Sequence, residues 1–495
     1  MKRLPVLVLG ALCLLSWFGV RTDAFSLLGP YESWMTPTNG FQLTGDIGGP
    51  MDITNEYRWN VPVVTYAFDP SFEAFFGSNG VAAVESAIQI LNNLPPASQV
   101  DLSNYPLNTV TENYTAQAEE LVDLKSETLF LLLQQLGLAQ PERFMFCVHD
   151  FSIADGDTNV NVVLRNFDPF SLAATNVLNG TGYTSNLTWQ IGNGGQVEGV
   201  TAVAMPIDPY AVNMAVADGW TGTSPGFFYT GLTRDDVGGL RYLLETNNYN
   251  LESLLPDVHG AGVNSNNYVN LALRGGVDKI TFVQEMVDPM TGEFYTPVTN
   301  QYTDTYLTNG VLMQQQLERV SYRPDFLFCV QDFYNSNAPP VALDSCTGTS
   351  NWMNNANAPG GAGPGVIQPP VVIAFNQAVG RQFVTFGSFS DTVAIDQSQF
   401  LGSFDASTNA PVVYPVSPQS GSASMTVRMW LTIGNTQESF DWEPVSAIGA
   451  VFAMQTATDL KNWTTLFTVT NNGSVCSYFV SNPASTWRFY RLVPQ

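Results

Sequence analysis

The sequence is short of cations, of histidine and of cysteine, and each shortage removes a class of protein. Of 495 residues only 18 are Lys or Arg, against 43 Asp or Glu, for a formal net charge of −25. Four lysines occur: Lys2, Lys125, Lys279 and Lys461. Nucleic-acid binding needs clustered Lys and Arg to neutralise phosphates, so that class is excluded. Only two histidines occur, His149 and His259. No HExxH helix is present for a zinc protease, no GxxxxGK[ST] phosphate loop and no CxxC pair. After the first apolar run, no segment is long and apolar enough to span a bilayer. Disorder along the whole length is excluded as well, because 45% of the chain is hydrophobic and only 12% is charged.

What is present begins with a secretory signal over 1–24. Lys2 and Arg3 precede an apolar run over 4–20, and Thr22-Asp23-Ala24 offers small residues for cleavage. The chain is therefore expected outside the cytoplasm: secreted, extracellular or cell-surface, or periplasmic. Cys147, Cys329, Cys346 and Cys476 remain after cleavage. An even count in an exported chain permits disulfides, and Cys329 with Cys346 is the candidate pair nearest in sequence. Four buried free thiols are the alternative.

The pattern predicts an α+β region over 25–360, with a possible subdomain split near 250–270. A linker follows at 361–370, and then an all-β sandwich over 371–495. Residues 62–68 read as a strand. Helices are expected over 81–94 and 115–138, the second ended by Gly137. Another is expected from Arg234 to about Glu245, with Thr233 as N-cap and Asp235 and Asp236 in the first turn. Residues 311–320 read as a short helix, and strands are expected near 282–285 and 295–306. The Pro/Gly/Asn-rich stretch over 335–370 marks the boundary. There is one internal echo. Phe144-Met-Phe-Cys-Val-His-Asp-Phe151 matches Phe326-Leu-Phe-Cys-Val-Gln-Asp-Phe333, as two similar buried strands or as a duplicated unit with Cys147 facing Cys329.

Candidate chemistry is sparse. Gly222-Thr-Ser-Pro-Gly226 fits GxSxG, but Pro225 has no N–H for an oxyanion hole, so a turn is the better reading. His149 beside Asp150 has the form of an oriented base, though it lies in an apolar strand. His259 reads as a loop residue. Asp155, Asp157, Asn159 and Asn161 place oxygens at alternate positions, a weak calcium pattern. It lacks the Gly and Glu of an EF-hand, which are Val160 and Asn166 here. Trp430, Trp442 and Trp463 read as core. Acidic residues are abundant enough for a paired-carboxylate glycosidase, but no spacing singles out a pair.

Two resemblances add to this. Phe452-Ala-Met-Gln-Thr-Ala-Thr-Asp-Leu-Lys-Asn-Trp-Thr-Thr-Leu466 and Arg488-Phe-Tyr-Arg-Leu-Val493 resemble a terminal β-sandwich module that closes many exported proteins of environmental Gram-negative bacteria. That implies export and an accessory role. Tyr57-Arg-Trp-Asn60 with Val64-Thr-Tyr-Ala-Phe68 is similar to the opening of matrixin-like metalloproteases. Leu232-Thr-Arg-Asp-Asp-Val-Gly-Gly-Leu-Arg-Tyr-Leu243 resembles the start of their last helix, and Leu136-Gly-Leu138 the tail of their zinc helix. Aligned on Gly137, the metal and general-base positions fall on Phe130, Leu131, Gln134 and Gln140, so the resemblance implies a metzincin-like scaffold without its site. The whole chain also resembles uncharacterised exported proteins with the Leu-Gly-Leu-Ala and Arg-Pro-Asp-Phe strings, which implies no activity.

Three readings follow. The leading one is a non-catalytic surface or matrix protein that binds an extracellular glycan or surface protein. The second is a polysaccharide hydrolase without a signature. The third is a metallopeptidase with rearranged ligands, which needs a histidine beside carboxylates in one pocket.

Overall fold

The computed structural model describes residues 24–43, 46–154, 157–192, 197–211, 214–219, 222–262, 266–289, 291–331, 352–354, 365–376, 384–385, 400–414, 427–433, 437–444, 451–457, 462–470, 476–481 and 489–494. The leader expected over 1–24 lies outside them except for Ala24, as do Asp155 and Cys346. The described chain is mostly β, with four α-helices: Pro70–Asn92 (α1), Tyr114–Ala118 (α2), Leu124–Gln135 (α3) and Arg234–Leu244 (α4). None is long and apolar enough to cross a membrane.

The core is built on a five-stranded sheet. Thr281–Gln284, Val63–Phe68, Phe326–Gln331 and Val371–Asn376 run parallel in that order, and Val384–Thr385 pairs antiparallel at the edge. Continuous apolar runs such as 326–330 and 371–375 suit parallel strands covered on both faces. Helix α1 covers one face. Asp69 caps it by accepting from Ser71 N at 2.8 Å, and Gly77 bends it with φ 59°. Its Phe72 and Phe76 rings meet Phe375 at 5.7 and 5.3 Å.

A second sheet is antiparallel, in the order Asn250–Ser253, Leu271–Arg274, Val298–Thr308, Val311–Ser321, Val258–Gly260. It holds two departures from the sequence reading. Residues 311–320 form a strand, not a helix. Asn309 and Gly310 both have positive φ, 51° and 75°, and make the two-residue turn that returns Val311 beside Thr308. His259 is a strand residue, paired with Glu318, not a loop residue.

The long helix expected over 115–138 is also divided. Glu120 takes φ 56°, and the chain runs as strand Leu121–Asp123 between α2 and α3. The strand is held by parallel pairing to Phe400–Ser403. Pairing also crosses the boundary expected at 361–370. Gly365–Ile367 joins Tyr57–Arg58, and Val371–Asn376 joins Phe326–Gln331. From Val427 onward the described strands pair only with one another. They form two three-stranded antiparallel sheets, one of Val427–Ile433, Gln437–Pro444 and Cys476–Ser481, the other of Val451–Ala457, Thr464–Thr470 and Phe489–Pro494.

The internal echo is not a structural repeat. Phe326–Gln331 sits inside the parallel sheet, whereas Phe146–Ala154 forms an antiparallel pair with Asp157–Leu164. Cys147 and Cys329 therefore lie in different sheets, both buried.

Candidate functional site

The chemistry-bearing side chains of the described chain gather where α3 meets the segment 216–218 and the start of α4. Local rules position them. Asp123 caps α3, accepting from Ser126 N at 2.9 Å and Ser126 Oγ at 2.6 Å. Thr233 caps α4, as the sequence predicts, and the structure shows a full capping box with Asp236. Asp236 also reaches back, accepting from Val216 N at 3.1 Å and Ala217 N at 2.9 Å. Asp235 accepts from Ala24 N and Asn179 N, each at 3.0 Å. Asp218 accepts from Glu142 N at 3.1 Å.

These carboxyls are drier than acidic groups normally are, and the dryness raises their proton affinity. Burial, reinforced by Asp123, pushes Glu127 up to about 8. Burial and then Glu142 hold Asp218 well above the usual carboxylate range. Asp123, Asp236 and Glu142 are raised by burial too, although hydrogen bonds to the first two pull the other way. Sequence reading missed this cluster because its members come from four separated segments. Asp235 and Asp236 read as partners of a helix dipole, yet both are about 1% exposed.

The positions aligned with a zinc helix do not fit zinc. Leu131 is fully buried, and Gln134 is buried on the same helix. A Cβ placed on Gly219 would meet the Phe130 ring at 2.8–2.9 Å, so that ring lies packed against the 216–219 segment. Gln140 donates to Asp218 O at 3.5 Å and accepts from Arg143 at 3.4 Å. An apolar ring, a leucine and two amides give no ligand set for a zinc ion. Among the described residues no three His, Cys, Asp or Glu side chains are grouped to hold a metal.

The remaining candidates are scattered. His149 Nδ1 lies 2.7 Å from Asp150 Oδ2, and its ring sits 5.0 Å from that of Trp34. The hydrogen bond from His149, then one from Asn161, holds Asp150 below the usual carboxylate range. Trp34 is enclosed by Phe41 at 5.2 Å and Arg165 at 5.8 Å. His259 Nδ1 faces Glu318 O at 2.8 Å in the other sheet. Ser224 lies in a turn closed by Phe227 N to Ser224 O at 3.0 Å, and a strand follows it instead of a helix. Of the calcium candidates, Asp155 lies outside the described residues, and Asp157, Asn159 and Asn161 lie on one strand. A strand separates alternate residues by about 6.6 Å instead of wrapping them round an ion. Asn161 donates to Asp150 at 3.2 Å. Cys329 is buried on its strand, and Cys346 lies outside the described residues. Trp463 is half-buried, while the side chains of Trp430 and Trp442 lie outside the described set.

Comparison of the chain with protein-family models, with curated proteins and with solved structures gave no match.

Proposed function

We propose that the chain is an exported, non-catalytic binding protein of the cell surface or extracellular matrix, with 1–24 removed as a leader. The observation that carries it is the ribbon Thr181–Ile191 with Val197–Pro206. Trp189 and Ile191 are 38% and 59% exposed on one face, and Val203 and Met205 are each 46% exposed on the other. Single exposed apolar residues are ordinary, but Trp189 and Ile191 share one face two residues apart, and this reading takes that face as the contact surface. The packed Phe130 and Leu131 support the non-catalytic part, and the reading takes the metzincin-like resemblance as scaffold alone. In this reading the two C-terminal sheets are the faces of an accessory β-sandwich. The partner is an extracellular glycan or a surface protein. Binding of the secreted chain to a glycan array and to isolated cell surfaces tests the proposal. Trp189→Ala with Ile191→Ser should remove most of the signal. Undiminished binding by that variant would overturn the assignment.

One observation favours a second reading, a polysaccharide hydrolase. Burial and then Asp123 push the Glu127 carboxyl up to about 8, the direction a general acid requires. Release of reducing sugar from a polysaccharide panel, lost in Glu127→Gln, would replace the first reading with this one. Elemental mass spectrometry of the same protein tests calcium at Asp157, Asn159 and Asn161.

A further inference from the structure

The antiparallel sheet built on Val298–Thr308 and Val311–Ser321 has one buried side and one open side. Residues directly opposite on neighbouring strands point to the same side, and successive residues alternate. Ala272, Tyr306, Leu317 and Arg319 point inward and are buried. The outward set contains four leucines in register. Leu251 lies opposite Leu273, Leu273 opposite Leu307, and Leu307 opposite Leu312. Leu273 and Leu312 are 43% and 55% exposed, and the other two are partly exposed. One exposed leucine is ordinary, but four aligned across four strands form an apolar stripe on the open side.

Beyond the stripe the same side is polar yet almost uncharged. Gln301, Thr303 and Thr305 point outward on one central strand, and Gln314, Gln316 and Glu318 on the other. Gln316 donates to Thr303 Oγ1 at 2.8 Å, and Gln301 to Glu318 Oε2 at 2.5 Å. His259, opposite Glu318, completes that end. Glu318 is thus the one carboxylate on this side of the five strands, in a chain with 43 Asp and Glu and a net charge of −25. Such a charge makes two copies repel wherever acidic surface meets acidic surface. A side with one carboxylate is where they approach at least electrostatic cost. Its shape suits a second copy of itself, because sheets stack face to face about 10 Å apart with their side chains interdigitating. At about 3.4 Å per residue and about 4.8 Å per strand, the side offers about 500 Å² of flat footprint. Two facing copies then bury at least about 1,000 Å², the lower bound for a specific interface.

We propose that this side is a self-complementary interface joining two copies of the chain, leucine stripe against leucine stripe. The proposal is independent of the ribbon Thr181–Ile191 with Val197–Pro206 and of any catalytic reading. Analytical ultracentrifugation of the purified full chain over about 1–200 μM tests it, with reductant present to remove disulfide-linked species. A reversible monomer–dimer equilibrium in the micromolar range is the expected result. Raising sodium chloride from about 0.05 M to about 0.5 M should tighten it at least about threefold, because salt screens the like charges of the two copies. Leu273→Glu with Leu312→Glu should weaken association at least about tenfold, since it sets like charges against one another. Both leucines are open to solvent, so that variant should keep the wild-type melting profile. Leu273→Lys with Leu312→Lys should weaken self-association as well, and an equimolar mixture of the two variants should associate again. Trp189→Ala with Ile191→Ser should leave the equilibrium unchanged. A chain that stays monomeric at about 200 μM would overturn the interface. So would a dimer that survives Leu273→Glu with Leu312→Glu, or one that is lost in the ribbon variant. A mixture that fails to associate would overturn the pairing of stripe with stripe.

Discussion

Arg319 grips Asp325 with both terminal nitrogens, Nη1 to Oδ2 at 3.0 Å and Nη2 to Oδ1 at 2.6 Å, and neither side chain reaches solvent appreciably. Asp325 accepts in addition from Thr65 N at 2.8 Å and Thr65 Oγ1 at 3.0 Å. The pair thus ties the second sheet to the parallel sheet at the core. Burial alone would lower the proton affinity of Arg319, but Asp325 and then Asp257 more than offset it and keep the guanidinium charged.

Asp325→Asn should lower the unfolding free energy by about 3–5 kcal/mol, because it leaves a buried charge with half its partner. Urea denaturation measures this. Arg323→Gln is the control. Its pair with Glu293 at 3.2 Å is half-exposed on both sides, and the change should stay below about 1 kcal/mol.

Stability should fall as pH rises from about 5 to about 8. Glu127 holds its proton to about pH 8 in the folded chain, against an ordinary value of 4.5. Below the ordinary value both states are protonated, and the contribution of the folded-state shift is fully present. Between the two values the unfolded chain has released the proton and the folded chain has not, so the contribution is lost as pH climbs. Asp123, Asp218 and Asp236, all raised by burial, act in the same direction. Melting temperature should be higher near pH 5 than near pH 8, by at least about 2–4 °C. Glu127→Gln should shrink that difference; a wider difference would contradict the account.

Gly137→Ala should be among the most damaging single-methyl additions. Gly137 has φ 110°, and a Cβ there would lie 2.2 Å from Tyr57 O. Gly262→Ala meets nothing within 4 Å at φ 66° and isolates the backbone strain, about 1–2 kcal/mol. The difference between the two in denaturation should exceed about 2 kcal/mol.

Cys147 should be inert in the folded protein. Burial pushes its thiol up to about 12, against weaker opposite pulls from Arg165 and Arg143. Alkylation followed by peptide mapping should show it reacting about three orders of magnitude more slowly than in denaturant, from thiolate fraction alone. Rapid labelling of the native chain would show that the strand pair around it opens.

The parts legible in the sequence were those with a local cause. The strand 63–68 and the Thr233 N-cap were readable because each depends on residues within a turn or a strand of one another. Gly137 was readable as the end of α3, although its contact with Tyr57 was not. The strand 311–321 was misread because Gln and Leu favour helix, and two turn residues, Asn309 and Gly310, outweigh that preference only through pairing with 298–308. The helix expected over 115–138 is interrupted after Glu120, where pairing to 400–402 makes the next residues a strand.

The sequence alone determined the charge balance, the scarcity of histidine, the helix caps and the apolar runs, because composition and short-range hydrogen bonding need no partner from elsewhere in the chain. Tertiary structure decided which carboxylates are dry and which strands cross residue 360. Desolvation and packing depend on which distant segments meet, and spacing along the chain does not encode that.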